Sequence, residues 1–409
     1  MMIRETYINK INEIALNVTQ TKIDSIRKKS ITKSGCRVYS DGYIGVSGTL
    51  GEITEETWNE AIKNLGNKVP YKYEPCKDNK RIRDLRESNI CAEEFLKESE
   101  RLLESIGEEF PDFIFSNKIK SIETECILKN EEGLEYINID RCFEVELVVK
   151  EKESINVFDT FIASVERVYD IEKVLEETRR LLNAYNNKVE LPDSKKLPVV
   201  MNFGGFGEKI QEALNGDDIM KGTSIFSDKI GKEIFSKEFT VYINRGEDNI
   251  DTPFFDAEGS VIENDRFTLI ENGKINFGYT DKKTSTEYKI PNTAAAVSSY
   301  DDVPGLSGQG ISDRRLGVKS SNKTLNEILG NKEAIYAVFM AGGDCTNEGD
   351  FASPVQMAYL IRDSKVIGRL PEFSVYGNIY EMFEEDYLGQ SSDRAYFGDK
   401  AMVINMNIK

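Results

Sequence analysis

Two glutamates four residues apart, Glu208 and Glu212, come nearest in this sequence to a paired-carboxylate site, with Cys345 in the glycine-rich turn Gly342-Gly343-Asp344-Cys345-Thr346 as the other reactive candidate. A helix would place both glutamates on one face. Two carboxylates alone make an incomplete site for a hard cation, and Ile210, Ala213 and Leu214 form the apolar stripe, so the pair is expected to lie on the solvated side. Cys345 would need a Lys or Arg neighbour, or a helix N-terminus, to become a thiolate. Gly342, Gly343 and Cys345 are the binding candidates of this turn. Gly204-Gly205-Phe206-Gly207-Glu208-Lys209 invites a phosphate-loop reading but fails both templates. The dinucleotide fingerprint needs a small residue where Ile210 stands, and the phosphate loop needs Gly-Lys-Ser/Thr. A tight strand-to-helix turn is the expectation. Ser25-x-x-Lys28 and Ser320-x-x-Lys323 match a Ser-Lys spacing that chance supplies in a lysine-rich chain, and no G-x-S-x-G elbow occurs.

The 409 residues contain no histidine. That excludes Ser-His and Cys-His nucleophile pairs, imidazole general bases and His-ligated zinc. The 53 Lys and Arg against 71 Asp and Glu give a net charge of −18, which argues against direct contact with nucleic acid. The cysteines at 36, 76, 91, 126, 142 and 345 form no C-x-x-C pair, so buried free thiols are expected rather than a disulfide frame. The N-terminal residues carry no uninterrupted apolar run, and no stretch approaches a membrane span. A cytoplasmic protein is expected.

The elements that must position these residues follow from periodicity. Ile8, Ile11, Ile14 and Ala15 predict a helix over residues 5–18. Thr21 to Thr49 reads as short β runs, with Asp41-Gly42 turning a hairpin and Arg27-Lys28-Lys29 on a solvated edge. Helices are predicted near 54–65, 92–107 and 169–186, strands over 112–128 and 134–150, and a loop over 66–90. Pro192 and the polar residues 193–196 mark a boundary between an N-terminal α+β domain, 1–190, and a β-rich domain, 197–409. In the second domain the strand Leu197–Met201 leads through the glycine turn to a helix Glu208–Asn215. Further strands are predicted near 238–243, 267–270, 276–279, 335–340 and 355–361, with Asn272-Gly273 turning a hairpin. The fold class is α+β.

The order of these segments resembles the TldD/PmbA family, the modulators of DNA gyrase. Four stretches carry the resemblance: Gly35–Gly45; Leu197–Met201; Met220–Ser227 with Asp256-Ala257-Glu258-Gly259; and Phe339–Gly343 through Asp350-Phe351 to Ala358–Ile361. The resemblance implies a two-domain α+β architecture and a two-subunit protease. One subunit type holds zinc through His-Glu-x-x-x-His and a cysteine near the C-terminus; its TldE/PmbA-type partner lacks that site. With Leu214-Asn215-Gly216-Asp217 as anchor, the motif falls on Gly207–Glu212. Glu208 matches the general-base glutamate, while the two ligand positions hold Gly207 and Glu212, and Gln390–Tyr396 contains no cysteine. The resemblance therefore implies a metal-less, non-catalytic subunit with no cofactor, a homodimer or a heterodimer with a TldD-type subunit, handling extended peptide. The alternatives are an autonomous hydrolase that uses Glu208, Glu212, Asp256 or Glu258 with Mg²⁺ or Ca²⁺, or uses Cys345, and a scaffold or gyrase-modulating binding protein.

Overall fold

The computed structural model describes residues 2–87, 90–298, 310 and 316–409. The first half is built on long antiparallel strands: β1 (Ile3–Thr19), β2 (Lys22–Ser40), β3 (Tyr43–Leu50), short β4 (Val69–Pro70), β5 (Lys80–Asp84), β6 (Phe113–Asn130), β7 (Glu135–Glu151) and β8 (Thr160–Glu166). They form one twisted sheet in the order β4-β3-β2-β1-β6-β7-β5, with β8 also on β7. Three helices accompany it, α1 (Glu55–Asn64), α2 (Ala92–Glu109) and α3 (Ile171–Tyr185). The Asp41-Gly42 hairpin forms as expected, with Ser40 opposite Tyr43 and positive φ at both turn residues.

Residues 5–18 are the main departure, because they form most of β1 and not a helix. The segment is rich in β-branched residues, and its strand is paired on both edges, with β2 and β6. Both faces are partly covered, Tyr7, Ala15, Leu16 and Val18 all being buried. The period-two signal of a half-exposed strand is thereby lost, and the isoleucine spacing imitates a helix. Strand β8 and the short strand β5 were not foreseen.

In the second half, β9 (Lys196–Met201) is followed by α4 (Gly204–Ala213), α5 (Gly216–Lys221), β10 (Val241–Asn244), β11 (Arg266–Glu271), β12 (Lys274–Ile275), α6 (Lys282–Tyr288) and β13 (Leu316–Val318). Then come α7 (Leu325–Leu329), β14 (Ala334–Met340), β15 (Asp344–Cys345), β16 (Asp350–Arg362), β17 (Lys365–Arg369), β18 (Phe373–Asn378), α8 (Ile379–Phe383), β19 (Tyr387–Gln390) and β20 (Met402–Ile408). Strands β10 to β13 make a small sheet; the others form a larger one along β14-β9-β20-β18-β16-β15. The Asn272-Gly273 hairpin is present, but its second strand is only Lys274–Ile275, so 276–279 is loop and not strand.

The larger sheet is apolar on both faces. Val199, Met201, Ile335, Ala337, Met402 and Ile404 join one cluster with Ile210 of α4 and the small sheet. The alternate residues Val200, Tyr336, Val338 and Val403 join a second cluster with Phe95, Leu102 and Ile106 of α2, Leu181 of α3 and Phe115 of β6. This explains the unbroken apolar run Leu197–Met201, and it packs the two halves into a shared core.

Buried arginines complete the contact between halves. Arg83 of β5 donates to Asn138 Oδ1 at 2.7 Å, Arg245 O at 2.7 Å, Thr252 O at 2.6 Å and Asp265 Oδ2 at 3.4 Å. Arg81 makes a two-pronged contact with Asp265, and Arg167 another with Asp140 while reaching the Glu247 and Asn249 carbonyls. The loop 245–265 is thus held by guanidinium groups of the first half. Arg83→Ala would leave several buried carbonyl groups without their donor. It is expected to lower stability by about 3–5 kcal/mol in urea unfolding, against about 0.5 kcal/mol or less for Lys28→Ala on the exposed part of β2.

Candidate functional site

The glycine stretch after β9 is the first turn of a helix, not a loop before one. Phe203 is the N-cap residue of α4, and the Gly207 N–H donates to the Phe203 carbonyl at 2.6 Å. Strand β9 is buried throughout its last five residues, so the chain must leave the sheet and coil at once to keep Ile210, Ala213 and Leu214 on the core. Gly207 is buried against the Phe203 ring, and a Cβ there would lie 3.0 Å from two of the ring carbons. Glu208 and Glu212 both face solvent. The Glu212 side chain is 70% exposed and pairs with Lys209 at 3.0 Å. The helix thus keeps its two glutamates on the polar side, as its apolar stripe requires.

Cys345 belongs to β15 and is half-buried against the same cluster that holds Ile210, whereas Cys91 is exposed, contrary to the expectation that the thiols are buried. Its two-residue strand pairs with Phe351 and Ala352 of β16. Gly342 and Gly343 are exposed. Gly342 has φ +75°, and a Cβ on Gly343 would sit 2.6 Å from the Phe351 ring, so this turn is shaped by close approach of its backbone to an aromatic side chain. Ser25 and Lys28 lie three apart on β2, where alternation points them to opposite faces, so they form no Ser-Lys pair.

Asp256 and Glu258 lie elsewhere, in the buried turn that faces the first half. Asp256 accepts N–H bonds from Glu258 at 2.9 Å, Ser260 at 2.8 Å and Ala296 at 3.0 Å. Burial raises its carboxyl against the pull of Arg245 and these N–H groups. Glu258 accepts from the Tyr71 hydroxyl at 3.0 Å and from the Lys282 N–H at 3.0 Å. Burial, then the neighbouring Asp256 charge, pushes the Glu258 carboxyl up to about 7. Beside this turn Arg37 and Glu5, 0% and 1% exposed, pair at 3.1 Å, and Tyr39 donates to the same Glu5 oxygen at 2.8 Å. Arg37 also donates to the Ala257 carbonyl. Among the described residues no three of His, Cys, Asp and Glu are grouped so as to hold a metal ion.

Sequence reasoning passed over the residues that do most here: Arg37, Arg81, Arg83, Arg167, Arg245 and Tyr71. One signal was available. In Arg81-Ile82-Arg83 the alternation is inverted, with Ile82 55% exposed and Arg83 buried. A strand that turns arginines inward and an isoleucine outward has a polar surface to satisfy.

Residues 194–401 match the PmbA/TldA metallopeptidase C-terminal domain. The chain belongs to the TldD/PmbA family. It is a metallopeptidase-like protein of that family by this match and by its relatives. An uncharacterized protein of Methanocaldococcus jannaschii is 24% identical over 93% of this chain and 90% of its own length. A zinc metalloprotease TldD homolog of Saccharolobus solfataricus is 25% identical over 71% of this chain and 66% of its own. Among solved structures, TldE from Thermococcus kodakarensis superposes with a TM-score of 0.81 at 18% identity, covering 99% of this chain and 96% of that one. A proposed DNA-gyrase modulator from Thermotoga maritima gives 0.79 at 16% identity, over 100% and 96%. The mixed helix-and-strand architecture is the TldD/PmbA fold. No helix among the described residues is long and apolar enough to cross a membrane.

The raised Glu258 carboxyl gives this TldD/PmbA chain a testable pH dependence. Its folded-state value lies above the ordinary 4.5, so the folded chain holds a proton that the unfolded chain has released. Its stabilising contribution is full below 4.5 and falls as pH rises toward 7, by an upper limit of about 3 kcal/mol. Thermal melts should show the stability difference between the parent and Glu258→Gln shrinking over that interval. Parallel curves would mean that the carboxylate is buried ionised.

Proposed function

We propose that this chain is the TldE/PmbA-type, non-catalytic subunit of a cytoplasmic TldD/TldE-type metalloprotease, one that holds no zinc and completes the assembly of a TldD-type partner acting on extended peptide. The observation that carries the reading is the state of α4. At the two positions that match the family's histidines, Gly207 offers no donor atom and is covered by Phe203, while Glu212 stands in solvent paired with Lys209. Glu208, at the position of the general base, would need a metal-bound water to deprotonate, and Gly207 supplies no ligand to hold that metal. These residues do not fit a zinc ion, which takes N, S or carboxylate donors from three protein groups at a catalytic site.

The rival reading of an autonomous hydrolase draws less support. Asp256 and Glu258 are occupied by backbone N–H groups and a tyrosine at the contact between halves, away from solvent. Six free cysteines fit a reducing compartment. A net charge of −18 favours peptide or protein partners over nucleic acid.

The test is reconstitution. The chain purified without a histidine tag is expected to carry sub-stoichiometric zinc and to leave an unstructured peptide uncut. Mixed with a TldD-type metalloprotease from the same source, it should co-elute as a heterodimer and raise peptide cleavage. Stoichiometric zinc, or cleavage by the chain alone that Glu208→Gln or Cys345→Ser abolishes, would overturn the reading; a homodimer indifferent to the metalloprotease would as well.

A further inference from the structure

The long β1–β2 hairpin extends beyond the reach of β3. Pairing of β2 with β3 begins at Lys33, opposite Leu50, so among the described residues Lys22–Ile31 pairs only with β1. The orientation of the free edge follows from one bond. The Thr32 carbonyl accepts the Gly51 N–H, so Thr32 turns its backbone polar groups away from β1. Alternation then turns those of Ser30, Lys28 and Ile26 the same way. Residues 24–28 are exposed on both faces, including Ile26 at 48%.

Over Arg27–Lys29 the charge of this edge is of one sign, the nearest acids being Asp24 further along β2 and Glu13 opposite Lys29 on β1. Arg27, Lys28 and Lys29 make no ion pair among the described residues, although Lys and Arg number 53 against 71 acidic residues in the chain. In the strand, Arg27 and Lys29 flank one face and Lys28 the other, so an added strand would meet cations on both faces. Lysines on an edge commonly serve only to prevent pairing. Here they also select: any two-fold register centred on Arg27–Lys29 sets cation against cation, whereas an acidic strand gains opposite-charge neighbours.

We propose that the free edge of β2, Ile26–Ser30, is a strand-addition site for an acidic extended segment of another polypeptide. The backbone groups of Ile26, Lys28 and Ser30 supply the ladder, and Arg27, Lys28 and Lys29 supply the sign of the partner. This site is independent of the catalytic state of the chain.

Fluorescence anisotropy of a labelled Glu-Thr repeat peptide, with a Lys-Thr repeat as control, tests it directly. Binding is expected for the acidic peptide alone, weakening as salt is raised. The triple variant Arg27→Glu, Lys28→Glu, Lys29→Glu should lose about tenfold or more in affinity. Ser30→Pro, which removes one outward N–H without altering charge, should weaken binding while leaving the far-UV spectrum unchanged. Hydrogen exchange should show the Ile26, Lys28 and Ser30 amides protected by the acidic peptide. Three results would overturn the proposal: equal affinity for the triple variant, no protection of these amides under saturating peptide, or protection that rises with protein concentration alone, which would assign the edge to a second copy.

Discussion

Guanidinium groups reaching across to backbone carbonyls are the constraint on which the arrangement of the two halves depends. The loop 245–265 carries little regular structure of its own, so its polar backbone groups need partners supplied from outside. Arg83 and Arg167 provide them from the first half, Arg37 holds the Ala257 carbonyl, and Arg245 closes the loop on the carbonyls of Pro253, Phe255 and Ala294. An arginine can bridge several acceptors at once because its planar fork presents five donors, which no lysine could copy. The acidic residues Asp265, Asp140 and Glu5 compensate the buried positive charge. With this polar contact satisfied, α3 can lie on the larger sheet, with α2 packed beside it on β6 and β2.

The same arrangement explains why the acidic turn 256–259 is structural. A carboxylate buried next to guanidinium groups and backbone N–H donors is already fully engaged. Asp256 shapes the turn, Glu258 anchors Tyr71 and the start of α6, and the aromatic rings of Tyr39, Tyr71 and Tyr73 fill the space beside them. The acidic pair of α4 stands in solvent and that of the turn is buried and bonded, so the two pairs have different roles.

Much of this was legible in the residues. The hairpins at Asp41-Gly42 and Asn272-Gly273, helices α1, α2 and α3, and the apolar strand β9 follow from turn chemistry and periodicity that act locally. The solvated side of α4 followed from its apolar stripe. What escaped were features set by distant partners. β1 resembles a helix because neighbours cover both its faces, and the helical first turn at Gly204 is hidden behind glycines that usually interrupt helices. The inward arginines of the first half belong to the same class, since the second-half carbonyls they hold lie 80 residues further along the chain for Arg167 and 220 for Arg37.

The apolar face shared between the halves has a consequence for synthesis. The hairpins of the first half are complete in the chain once α3 has been made, yet the sheet that covers α3 is completed only by β20. At ordinary translation rates that interval lasts on the order of 10–40 s. During it the side of α3 that carries Glu177 and Arg180 lacks Tyr336, and Arg83 lacks its acceptors at Arg245 and Thr252. Until then the growing chain carries an apolar face on α3 whose cover has yet to be made.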